Sequence, residues 1–129
     1  MNGIIWVGAG SFIGGILRYG VNTWVHRLLD IPGFPLGTLA VNMIGCLIIG
    51  FLTGLAETWT TFNTETRLFL FVGVLGGFTT FSAFALETFE LARGTQHGAA
   101  FVNIGLQITL GLLAVWLGGV IAHAASHWF

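Results

Sequence analysis

Charge is what this chain most conspicuously lacks. Of its 129 residues only 7% are charged, with four arginines, five acids and no lysine. A water-soluble domain carries about a quarter charged residues, so a surface that meets water on all sides is excluded. Cysteine is as scarce: the lone Cys46 sits in an apolar run, which rules out an intramolecular disulfide and fits a reduced thiol packed as a small hydrophobe. A net charge of -1 gives no basis for a nucleic-acid partner. The opening MNGIIWVGAG has no basic n-region and no small-residue cleavage site, so the first apolar segment is expected to be retained.

What the chain has instead is hydrophobicity, 55% of residues with a mean hydropathy of +0.90. A hydrocarbon core roughly 30 Å thick takes about 20 helical residues to cross. Four segments reach that length, at about 4–25, 37–56, 67–91 and 99–122. Short polar connectors separate them, the first holding Asp30, Pro32 and Pro35. The expected fold is therefore an all-α membrane protein, a single four-helix transmembrane domain. Trp6, Trp24, Trp59, Trp116 and Trp128 mostly fall near the segment boundaries, as interfacial belts do. His26, His97, His123 and His127 also lie at segment ends, away from the depth where a haem would sit.

Twenty glycines recur at small-xxx-small spacing, as in Gly10 and Gly14, Gly50 and Gly54, Gly73 and Gly77. Such spacing lets helix backbones approach closely in lipid. Orientation should follow from arginine placement, but Arg67 on one side faces Arg27 and Arg93 on the other, with Arg18 near the latter. That margin leaves weak single-orientation bias and insertion in both directions equally open.

The third segment holds the most unusual stretch, Gly73 to Glu87, GVLGGFTTFSAFALE. Gly76-Gly77-Phe78-Thr79-Thr80 combines poor membrane-helix formers with hydroxyls that can bond their own backbone. Two readings stay open, a local break or an intact helix packed closely through its glycines. A break at membrane depth survives only inside protein or beside a polar cavity, and its freed carbonyls can take a cation. Phe81 and Phe84, three apart, share a helix face; this is ordinary packing or, because an aromatic ring has a positive edge, a wall for an anion. Glu87 lies one further step along and could simply snorkel. Asn42 stands one turn after Thr38, where a buried amide either bonds a neighbouring helix or turns its donors into a pore. Arg18 stays ionised in the first segment and must find water, a carbonyl or a carboxylate. No Ser-His-acid or metal-ligand spacing suggests an enzyme.

These motifs resemble one family, the small bacterial fluoride channels known as Fluc or CrcB proteins. The likeness rests on GSFIGGILRYG in the first segment, PLGTLAVNMIG in the second, GVLGGFTTFSAFALE in the third and the length of the fourth. What the resemblance implies is a fluoride-selective passive channel in the bacterial inner membrane, built as an antiparallel, dual-topology homodimer with two pores. It implies that the third helix is broken near its middle and that main-chain carbonyls of Gly76 and Thr79 from both subunits hold a structural sodium ion. By the same resemblance, the ring edges of Phe81 and Phe84, the Asn42 amide and Ser82 line the fluoride path, with Arg18 and Glu87 in a vestibule or in structural pairing. The partners implied are a second copy of the chain, fluoride and membrane lipid.

The chain departs from the family pattern where Ala83 and Ala85 replace hydroxyls and where Gln107 and Thr109 stand in place of a pore-facing hydroxyl. Two alternatives share the composition. A small dual-topology multidrug exporter would want a carboxylate in the first helix, where this chain has Arg18; a structural membrane subunit would have no use for the third-segment motif.

Overall fold

The computed structural model describes residues 2–29, 31–58 and 62–126. Asp30, Trp59, His127 and Trp128 lie outside the described residues. The described chain is all-helical, and four of its spans are long and apolar enough to cross a membrane: Asn2–Leu28, Leu36–Glu57, Thr64–Arg93 and His97–Ser126. With apolar side chains such as Phe12, Ile16 and Phe101 exposed on their outer faces, these spans make a multi-pass membrane protein.

The helices pack in two pairs. The second and fourth run side by side over most of their length, and the first lies along the first part of the third span. Glycine sets both seams. A Cβ on Gly73 would lie 2.8 Å from Gly10 Cα, and one on Gly77 would lie 2.7 Å from the Ser11 carbonyl oxygen. Side chains at these points would force the helices apart, so the backbones touch directly, as close packing in lipid favours.

The third span has three sections. Asn63 caps its start, its Oδ1 accepting from Thr66 N–H at 2.8 Å. Leu68–Leu75 is then wound as a π-helix, and Gly76–Phe78 returns to α-helical geometry. The chain next becomes extended at Thr79 (φ -80°, ψ 159°) and Thr80 (φ -150°, ψ 112°) before Phe81–Arg93 resumes the helix. The interruption is thus confined to two threonines, whereas the sequence suggested a region from Gly76 to Thr80. Gly77 is helical, and its lack of a side chain lets the first helix approach, while Gly76 is helical and exposed; each threonine hydroxyl bonds the helix on its own side of the break. Thr79 Oγ1 donates back to the Leu75 carbonyl at 2.9 Å, and Thr80 Oγ1 accepts forward from Ala83 N–H at 3.1 Å, capping the helix that follows.

Candidate functional site

An interruption at this depth strands backbone donors and acceptors that water cannot reach. Asn42, on the second helix, meets them. Its Oδ1 accepts from Thr80 N–H at 2.9 Å, and its Nδ2 donates to the Thr80 carbonyl at 3.1 Å. The amide therefore pairs with both polar groups of one peptide residue, much as a neighbouring strand would. The same Nδ2 donates to Gln107 Oε1 on the fourth helix, also at 3.1 Å. Both amide hydrogens of Asn42 are engaged.

This pairing fixes the orientation of Gln107. Asn42 must present its oxygen to Thr80 N–H, so only its nitrogen is left to face Gln107, and Gln107 must answer with oxygen. Its Nε2 then points elsewhere, and it is buried with no hydrogen-bond partner among the described residues. An orphaned amide donor in such surroundings costs about 1–3 kcal/mol.

Next to these amides is a cavity of about 450 Å³, lined by Asn42, Gln107, Thr79, Thr80, Phe81, Phe84 and Gly76, with Met43, Leu75 and other apolar side chains completing it. The two phenylalanine rings meet edge to face, centroids 5.5 Å apart and planes at 63°. Phe84 is half-buried, but Phe81 is 77% exposed. The cavity is thus walled on one side by this chain and open on the other.

The remaining predicted residues lie around it. Ser82 is exposed, with its Oγ 3.3 Å from Thr80 Oγ1, and does not line the same cavity. Arg18 sends Nη1 toward the Thr79 carbonyl at 3.5 Å, a long contact, and borders a separate space with Tyr19 and Asn22. Glu87 accepts from the buried Thr38 hydroxyl at 2.6 Å and faces another space with His26, Glu90 and Gln96. Its second oxygen is buried without a partner among the described residues. Thr109 is exposed and bonds back to the Gly105 carbonyl at 2.6 Å. Of the two polar residues singled out on the fourth helix, only Gln107 reaches the site.

Sequence reasoning missed Asn103. It is fully buried, and its Nδ2 donates to Thr88 Oγ1 at 2.9 Å. The available signal was spacing, since Asn103 and Gln107 are one helical turn apart and so share a face.

Residues 5–119 match the family described as CrcB-like protein, Camphor Resistance (CrcB). A relative from Parabacteroides distasonis, named fluoride-specific ion channel FluC, is 48% identical over 109 residues, 84% of each chain. One of the same name from Ruminiclostridium cellulolyticum is 43% identical over 95% of this chain and 93% of its own. A third, fluoride-specific ion channel FluC 1 from Methanosarcina acetivorans, is 39% identical over 92% of this chain and 89% of its own.

Proposed function

The chain belongs to the CrcB family, and from that premise we propose that it is a passive, fluoride-selective ion channel rather than an enzyme. It lets fluoride leave the cytoplasm, relieving its toxicity, across the bacterial inner membrane. The observation that carries this reading is the one cavity that Phe81, Phe84 and Gln107 line together, with the two rings packed edge to face and the Gln107 amide nitrogen buried without a partner among the described residues. Fluoride is small and strongly hydrated. A selective path must replace its water with donors and positive ring edges, yet bind weakly enough for the ion to leave. Neutral amides and ring edges meet both demands, whereas a full cation at the narrowest point would retain the ion. Arg18 accordingly stands outside the phenylalanine cavity, at its vestibule.

The anion path runs past Phe81 and Phe84 in the cavity and past Ser82 beyond it. Asn42 shapes it by holding the break and aiming the Gln107 amide, and it contributes its own donor to the ion only by releasing Thr80 or Gln107. Glu87, tied to Thr38, borders the path at its outer end. The working form is an antiparallel, dual-topology homodimer. This is supported by Phe81, whose 77% exposure leaves half of a pore wall to be supplied by a second copy, and by the narrow margin of Arg27 and Arg93 on one side over Arg67 on the other. An isologous two-fold contact in the membrane plane would bring two such walls together.

A structural sodium ion fits the break. Thr80 N–H, which would close the next helical turn onto the Gly76 carbonyl, is diverted to Asn42, and the Thr79 carbonyl takes a long contact from Arg18. Gly76 is exposed, so its carbonyl can meet a second subunit. Carbonyl oxygens are suitable ligands for a hard cation, and Gly76 and Thr79 from each of two subunits would hold it. Its contribution is to neutralise carbonyls that the break has freed.

Purified protein in liposomes loaded with potassium fluoride or potassium chloride tests the channel reading. Fluoride should leave rapidly without a proton gradient while chloride stays. Comparable chloride efflux, or fluoride efflux that requires a proton gradient, would refute it. Single-cysteine labelling from each side tests dual topology, and labelling from one side alone would contradict it.

A further inference from the structure

The helix that carries the phenylalanines, Phe81–Arg93, is not held in place by the rest of its span. The extended residues Thr79 and Thr80 interrupt the helical ladder before it, so its tilt depends on its packing along the fourth helix and on side-chain ties to other helices. Two of those ties come from the second helix: Asn42 to Thr80 and Thr38 to Glu87. Both pull from one direction. Among the described hydrogen bonds, the one that reaches this helix from the fourth is Asn103 Nδ2 to Thr88 Oγ1, at 2.9 Å.

That bond continues inward. Thr88 Oγ1 donates to the Phe84 carbonyl at 2.7 Å, and a hydroxyl that has spent its one hydrogen can only accept from Asn103. The order of donors is therefore fixed, from Asn103 amide to Thr88 hydroxyl to the backbone of Phe84. Asn103 is 0% exposed, and its Oδ1 is buried with no partner among the described residues. A leucine here would leave no such orphan. The amide is kept despite an unmade bond, and what it gains is its donor to Thr88.

We infer that Asn103 is a positioning residue for the phenylalanine pair: through the Thr88 hydroxyl it braces the second half of the broken span from the fourth helix, about a quarter-turn round from the ties to the second. It does not touch the ion. Loosening the brace lets Phe81 and Phe84 drift from the edge-to-face contact they make beside the cavity, so each ion crosses more slowly. The inference rests on the channel reading above.

Unitary fluoride currents in planar bilayers test it, because a residue needed only for folding changes how many channels insert and leaves the current through each one alone. Thr88→Val, close in shape to the native side chain, and Asn103→Leu should each lower the unitary current about fivefold, as the loss of a single hydrogen bond implies. The double variant should fall no further than either single one, since both cut the same chain of bonds. Thr88→Ser, which restores the hydroxyl, should conduct within about twofold of native. Native unitary current in Thr88→Val, or single effects that multiply in the double variant, would overturn the brace while leaving the channel reading intact. If the native chain itself carries no fluoride current, the channel reading fails and the brace with it.

Discussion

The two halves of the third span are neighbours in sequence and opposites in construction. Residues 64–78 are held by shape: Gly73 and Gly77 press against Gly10 and Ser11 of the first helix with no side chain between, and the π-helical turns of Leu68–Leu75 carry apolar residues throughout. Residues 80–93 lie along the fourth helix and are tied by hydrogen bonds to Asn42, Thr38 and Asn103. Packing of the first kind is rigid and tolerates no added volume. Ties of the second kind fix direction while leaving space beside the helix, and the cavity next to Phe81 and Phe84 is that space. A channel needs both, an anchored half that sets depth and a braced half that presents a wall.

The comparison is broken most severely by adding volume to the packed half. Gly77→Val places atoms where the Ser11 carbonyl already lies, and with 2.7 Å from that oxygen to the new Cβ the cost should be about 3 kcal/mol or more. Size-exclusion profiles of the extracted protein should show aggregation or loss of yield. A native profile would mean that glycine contact does not anchor this half.

In the braced half the expected effects fall on function first. Asn42→Ala strips the Thr80 N–H and carbonyl and the Gln107 oxygen of their partner at once. With each orphan costing about 1–3 kcal/mol, fluoride efflux should drop by at least about tenfold in protein that still extracts intact. Efflux near native would show that the break holds itself open without the amide. Thr38→Val is the mildest change. It removes one donor from Glu87, worth about 1 kcal/mol, and efflux should stay within about fivefold of native; a complete loss would move Glu87 from the edge of the path to its centre.

The four spans were legible in hydropathy alone, because the bilayer imposes a length and a polarity that composition cannot disguise. The motifs drew attention to Phe81, Phe84 and Asn42, and the structure sets all three along one cavity. Three features were not legible. The interruption falls at Thr79 and Thr80 rather than across Gly76 to Thr80, since glycine marks close approach and helix breaking with the same letter, and only the position of Ser11 decides between them. The π-winding of Leu68–Leu75 has no mark in LFLFVGVL, whose residues would suit an α-helix equally. The engagement of both Asn42 hydrogens, and the role this leaves to Gln107, follows from a meeting of three helices. Spacing along one helix puts Asn42 near Thr38 and Asn103 near Gln107 but says nothing of their partners Thr80 and Thr88 on the third span.

The central claim is that the aromatic wall of the braced half is the fluoride path. Its most direct test is fluoride-electrode recording of efflux from liposomes carrying the native chain, Phe81→Ile or Phe84→Ile, each first shown to extract as intact protein. The native chain should release fluoride quickly and the two variants almost none, because isoleucine fills the space without offering a positive ring edge. Native rates of fluoride release in both variants would contradict it.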